Sequence, residues 1–372
     1  MMTRSMIHMM IASVSGLLGF YLLFSTVPLY AAQGGAGEFG AGATTGAMMA
    51  ATVAAELAVP WLLARLGYRR VLALGLLLLG LPALVLPLSP ALPLVLAVSL
   101  LRGGGLGVLV VAGTALAAEL TPHERRGEGL GLYGVAVGVP SVLGLPLGLW
   151  AGDALGFTPV LVAAGLVPLA GLLAVLPAGL PAGPALPDTR PVRTRTPGRL
   201  AGLSGLAGLT VLFASVTVAT GVLVTFLPLA GSPELASLAL LAQSIATPVA
   251  RYWAGRHGDR HGSARLLGPG VLAAAAGVAA QIWVDAPITV VAGMALFGAG
   301  FGVLQNATLT LMFERGETGT VSALWNLAYD AGMGVGALGF GLLLPAVGYP
   351  AGFAAIAVLM IVTLPLRGRP CR

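Results

Sequence analysis

The chain contains no lysine: all 19 of its basic residues are arginine. Charge of either sign is scarce, at 9% of 372 residues. The one cysteine, Cys371, is next to last, which excludes a disulfide framework and any cysteine-based metal centre. Also missing are the patterns that covalent enzymes and nucleotide-driven pumps need: a His-Glu-x-x-His helix, a glycine-rich phosphate loop, a nucleophile elbow and an acidic triad. The expectation is therefore a protein with no catalytic residues, no metal and no cofactor. A net charge of +6 and a pI near 10.1 would suit nucleic acid if the arginines formed a soluble face. They lie instead in short loops between apolar runs, so nucleic acid is not an expected partner.

What fills the chain is hydrocarbon. The hydrophobic fraction is 57% and the mean hydropathy +0.96, far outside the range of soluble domains. A membrane-spanning helix needs about 20 apolar residues. By that measure spans are expected near 7–30, 41–64, 71–89, 92–117, 129–151, 158–177, 202–228, 235–254, 266–284, 287–312, 319–344 and 351–366, an all-α membrane protein of twelve helices. The first run is too long for the apolar core of a signal peptide and reads as an uncleaved helix.

Arginine placement sets the expected topology. With the N-terminus inside, one set of loops and ends holds Arg4, Arg65, Arg69, Arg70, Arg125, Arg126, Arg190, Arg193, Arg195, Arg199, Arg256, Arg260, Arg265, Arg315, Arg367, Arg369 and Arg372. The other set holds only Glu38, Asp153, Glu234 and Asp285. By the positive-inside rule both termini are cytoplasmic, in a multi-pass protein of the cell membrane. The longest polar stretch, rich in Pro, Gly, Thr and Arg, divides the chain into a bundle over 1–176, a cytoplasmic linker over 177–200 and a second bundle over 201–372. The linker arginines either touch anionic lipid or are simply solvated.

Between two apolar runs, Arg251 to Arg265 reads RYWAGRHGDRHGSAR, with Gly255, Asp259, Arg260, Gly262 and Arg265 at fixed spacing. Glycine allows a tight interhelical turn, the aspartate can cap or face a helix N-terminus, and arginines stay at the headgroups. A copy occurs 195 residues earlier, where Arg65, Gly67 and Arg70 fall on Arg260, Gly262 and Arg265 without a gap. The register continues: Leu101, Gly103, Gly105, Gly107 and Glu119 match Leu296, Gly298, Gly300, Gly302 and Glu314. This is a parallel duplication of two pseudo-symmetric six-helix bundles, and the loop resembles the signature of the major facilitator superfamily of secondary transporters. In the first copy Pro60 and Ala64 replace the glycine and aspartate. The resemblance implies a gating role for Asp259, Arg260, Gly255, Gly262, Arg265, Arg65 and Gly67. Asp259 is expected to reach the N-terminus of the fifth helix or a nearby arginine. The fourth-to-fifth loop, from Glu119 to Gly134, also resembles the family, with Thr121 and Glu124 as a possible capping box and His123 solvated.

Setting tyrosines aside, only Glu56, Arg102, Arg251 and Asp330 put ionisable groups well inside expected spans. A charge at the bilayer centre costs on the order of 3 kcal/mol on insertion scales, so each needs a partner or a wet cavity. Glu56 and Arg251 are repeat mates of opposite charge, each nine residues before its loop arginine, roughly 13 Å along the helix. Arg102, in Leu-Arg-Gly-Gly-Gly-Leu-Gly, resembles in part the arginine that proton-driven exporters of the family carry on the fourth helix. All four are candidates for proton coupling. The alternative is that they form structural pairs that merely neutralise each other. The family fold implies that the second and eleventh helices, with Glu56 and Asp330, lie together.

Gln305 and Asn306 stand where the first half has Val110 and Val111, a broken symmetry that an asymmetric solute requires. They are candidate substrate contacts, the alternative being a helix-to-helix amide bond. Asn326 and Asp330 share a helical face with Tyr329, and Gly332 with Gly336 offers a small-residue contact to a neighbour. Trp325, Tyr21 and Tyr133 are further candidates for the substrate wall. The resemblance implies secondary active transport of a small organic solute by alternating access, as a monomer whose partners are solute, protons and lipid. Proton-coupled efflux is the leading expectation, and a proton-coupled importer or uniporter of a small polar nutrient is the alternative.

Overall fold

The computed structural model describes residues 3–121, 126–175 and 199–367. Among these residues there are helices and no strands, as lipid demands: with no water to bond the backbone, each spanning segment must satisfy its own N–H and C=O groups. The helices are α1 (Arg4–Phe24), α2 (Thr26–Ala31), α3 (Gly37–Gly80), α4 (Leu92–Leu120), α5 (Arg126–Leu155), α6 (Phe157–Val175), α7 (Arg199–Ala230), α8 (Pro233–His261), α9 (Ala264–Ala279), α10 (Pro287–Arg315) and α11 (Thr318–Val362). The chain divides into two compact units, Met1–Pro191 and Val192–Arg372. The expected linker up to residue 198, the Thr121–Glu124 cap and His123 involve residues outside the described ones.

Two of these helices are too long to cross a bilayer once. The 44 residues of α3 rise about 66 Å at 1.5 Å each, twice a hydrocarbon core of about 30 Å. Both long helices break at a glycine: Gly67 at φ 74°, ψ 166° in α3, and Gly348 at φ 73°, ψ 168° in α11. A side chain is disfavoured there, so glycine is the residue that lets the chain reverse. With α1 and α2 taken as one rod, the helices are consistent with the twelve expected spans, of which 158–177 runs past the described residues. Large apolar side chains such as Leu57, Leu88 and Ile288 lie on the outside.

Within the first unit α3 packs on α4, and α1 on α5 and α6. In the second, α8 and α9 pack on α10, and α7 on α11. The seams of α4 and α10 are main chain against main chain. A Cβ on Gly103 would collide with the Met48 carbonyl, one on Gly105 with the Gly75 carbonyl, and one on Gly107 with the Thr52 carbonyl. In the second unit Gly298 meets the Gln243 carbonyl, Gly300 that of Gly270, and Gly302 that of Thr247. Every one of these pairs is 195 residues from its mate. Thr52 donates to the Met48 carbonyl at 2.9 Å and Thr247 to that of Gln243 at 2.8 Å, and the turn glycines Gly67 and Gly262 both have positive φ. The duplication read from the sequence is thus a duplication of contacts, running through α3 and α4 in one unit and α8, α9 and α10 in the other.

Candidate functional site

In the first unit the glycine seam places charge in two tiers. Thr52 also donates to the Gly103 carbonyl at 3.1 Å, which fixes α3 against α4 beside Arg102. One turn further along α3, Glu56 is half-buried with its Cγ over Gly107. Arg102 lies five residues earlier on α4, about 7.5 Å along its axis, and is 2% exposed. Its Nη2 donates to the Gly19 carbonyl of α1 at 2.8 Å, while its Nε has no hydrogen-bond partner. Among the described residues no carboxylate pairs with it. The guanidinium lines a narrow crevice with Leu23, Phe24, Thr44, Met48 and Ser99, with room for about one water molecule.

Tyr133 and Tyr21 have separate surroundings. Tyr133 is buried, donates to Ser13 Oγ at 3.3 Å and rests on Gly113 of α4, so its hydroxyl is used inside the bundle. Tyr21 meets Phe20 edge-on at 4.8 Å, and its Cβ lies under Gly144 of α5.

The second unit brings several candidates together. Arg251 on α8 donates from Nη1 to Oε1 of Gln305 on α10 at 3.4 Å, and Tyr329 of α11 lies nearby. Gln305 is buried, and its Nε2 makes no hydrogen bond among the described residues, leaving an amide donor. Where the first unit has Glu56 and Val110, the second has Arg251 and Gln305: the repeat position is kept and its chemistry replaced. Asn306 is half-buried and backs onto Gly255, where an added Cβ would come within 3.3 Å of its Nδ2. A candidate contact and a signature-loop glycine therefore touch. Asn326 and Asp330 are half-buried on α11. Gly332 and Gly336 of that helix settle on α7, against Thr217 and the Val218 carbonyl, and Thr217 donates to the Ala328 carbonyl at 2.7 Å.

Trp325 is held on both sides. Its ring stacks on Phe213 of α7 at 4.7 Å, and its indole N–H donates to Thr308 at 3.3 Å. Phe301 continues the stack towards Tyr329, with ring centres 6.0 Å apart. Sequence reasoning missed Phe213 and Phe301. The signal was present: Phe297 with Phe301, and Trp325 with Tyr329, are both four apart in a chain with only 6% aromatic residues. It also missed Gln243, a polar residue within an apolar run, which is buried with an unpartnered Oε1.

At the loop end, Gly262 stops α8 with φ 87°, and its N–H bonds to the Gly258 carbonyl at 2.8 Å. Asp259, Arg260 and Arg265 are exposed. In the matching loop Arg65 lies 4.3 Å over the Trp61 ring, a cation–π contact where the second copy has an aspartate-bearing turn. Tyr68, beside Gly67, is buried and donates to the Glu119 carboxylate at the end of α4. Burial, and then that bond, raise the phenol well above its ordinary range. The residues that lead into α5, whose N-terminus Asp259 is expected to reach, include 122–125, outside the described ones.

The Major Facilitator Superfamily model matches the chain over residues 9–231 and again over 206–370. Among solved structures, a POT family transporter in complex with 5-aminolevulinic acid is similar with a TM-score of 0.82 and 13% identity, over 98% of this chain and 95% of that one. A bacterial homologue of the human lysosomal transporter Spinster, inward-facing and occupied, has a TM-score of 0.78 and 12% identity, over 97% and 95%. At such identities the likeness is one of fold. No curated protein sequence matches the chain. The helical bundles, the contacts repeated at a fixed register and the family match over nearly every residue lead to one assignment: the chain belongs to the major facilitator superfamily, as a multi-pass membrane transporter of small solutes.

Proposed function

We propose that the protein is a proton-coupled exporter of a small organic solute, working by alternating access as a monomer in the cell membrane. The observation that supports this reading is that Glu56, Arg102, Arg251 and Asp330 lie within long apolar helices, with Arg251 joined to Gln305 in the second unit. Glu56 and Asp330 are the protonatable groups. A desolvated acid holds its proton until a cation approaches, and arginine keeps its charge throughout, so movement of an acid relative to Arg102 or Arg251 takes up or releases a proton. Gln305, Asn306, Asn326, Tyr329 and Trp325 supply hydrogen bonds and an aromatic wall to the solute, with Tyr21 and Tyr133 as wall residues of the first unit. The signature loop, through Asp259 and its arginines, closes the cytoplasmic side, and the aspartate-free first copy contributes less.

The test is solute flux in proteoliposomes under an imposed pH gradient, over a panel of drugs, sugars and metal chelates. Asp330→Asn is expected to abolish gradient-driven flux while preserving solute exchange, with Glu56→Gln milder. If both variants move solute normally against a gradient, the carboxylates are structural and the coupling assignment fails. Flux in the opposite sense, with solute following protons inward, would instead identify an importer.

A further inference from the structure

We infer that the crevice at Arg102 is a binding site for a monovalent anion of halide size. Arg102 is 2% exposed, and its guanidinium stays charged at any physiological pH. Its one hydrogen bond goes to a main-chain carbonyl, which satisfies a donor but neutralises nothing. With no carboxylate paired to it among the described residues, a full positive charge sits in a low-dielectric bundle, an arrangement that is strongly destabilising unless a counter-charge is supplied. The guanidinium has further N–H groups to give, and its Nε–H is buried without a partner among the described residues.

The second donor is Ser99. It lies three residues before Arg102 on the same face of α4 and lines the same crevice, and its hydroxyl makes no hydrogen bond among the described residues. Thr44, on the opposite wall, has already given its proton to the Ala41 carbonyl at 2.7 Å and does not compete. Thr45 adds a second threonine to that wall, and the rest of the lining, including Leu23, Phe24, Val27 and Met48, is apolar. Room for about one water molecule suits a single small ion. A water there would answer an N–H donor but leave the charge; a halide answers both. Binding here does not require the proposed coupling, although Arg102 serves both, since a chain that moved no proton would still bind the ion.

The experiment follows the thermal midpoint of the full-length protein in detergent at constant ionic strength as gluconate is replaced by chloride, bromide or acetate. Chloride and bromide are expected to raise the midpoint with saturation, and acetate much less. Arg102→Met should lose the anion dependence, shifting half-saturation at least tenfold. Ser99→Ala, which removes one hydroxyl and adds no bulk, should weaken it several-fold. Bromide-soaked crystals should give an anomalous peak within hydrogen-bond reach of the Arg102 guanidinium. An unchanged midpoint in all anions, an equal chloride response in Ser99→Ala, or stabilisation by acetate but not chloride would each overturn the assignment. Should Arg102→Met not purify, the Ser99→Ala titration and the bromide peak decide alone.

Discussion

Tyr68 shows how a residue without charge ties two loops. Its hydroxyl is spent on Glu119, and the contact joins the turn at Gly67 to the end of α4. Tyr68→Phe should lower stability by about 1 kcal/mol, the ordinary worth of such a bond. Because the phenol is raised, it stays neutral in both states below the unfolded value near 10, so this contribution is constant over pH 6–9 and fades only as pH rises beyond that. Thermal melts of both proteins across that range check it: parallel curves are expected, and a difference that changes between pH 6 and 9 is the contrary result. At Gln305 the effect is on ligand. Gln305→Leu leaves Arg251 without its acceptor and removes the amide donor, and should weaken solute binding roughly tenfold, about 1.4 kcal/mol. Equilibrium binding of whichever panel solute the protein transports measures this. Charges were legible in the sequence because nothing else explains Arg102 or Arg251 in an apolar run. Hydroxyls were not. In membrane helices they commonly bond back to the preceding turn, as Thr52, Thr247 and Thr308 do here, so Ser99 looked no different from them.

At the scale of elements, adjacent glycines on α4 offer a controlled comparison. A Cβ on Gly103 would run into the Met48 main chain, whereas Gly104 has nothing within 4 Å. Gly103→Ala should therefore destabilise by about 1–3 kcal/mol through overpacking. Gly104→Ala should be neutral or gain up to about 1 kcal/mol from helix propensity. Equal melting temperatures for the two variants would contradict the seam. The turn glycines make a second pair: Gly67→Ala and Gly262→Ala both force a side chain into a region that favours glycine, at about 1–3 kcal/mol each. Where the elements begin and end was readable from apolar length and arginine punctuation. What length could not show was how a span finishes. The third expected helix gives way after Gly80 to a 3₁₀ stretch, Pro82–Leu88, and the ninth after Ala279, because proline and the end of the periodic run tighten the last turn locally.

For the molecule as a whole, the arginine asymmetry predicts sidedness, and the composition makes the test simple. Replacing Cys371 leaves a chain without thiols, into which single cysteines can be placed. An impermeant maleimide added to intact cells should label Asp153→Cys and Glu234→Cys and not Arg315→Cys, with the reverse pattern in inverted vesicles. The bundle architecture was legible because duplication leaves a fixed register in both sequence and contacts; the chemistry of the second unit was only half legible, because Phe213 approaches Trp325 across helices distant in sequence. The glycine seams have one more consequence. Contacts made of carbonyls and Cα atoms carry no memory of the side chains beside them, so Glu56 can become Arg251, and Val110 become Gln305, with the helices still meeting at the same atoms. A chain assembled in this way can diverge in what it recognises while its mechanics are inherited intact, and two halves that began as copies can evolve at different rates, one retaining an old specificity as the other explores a new one.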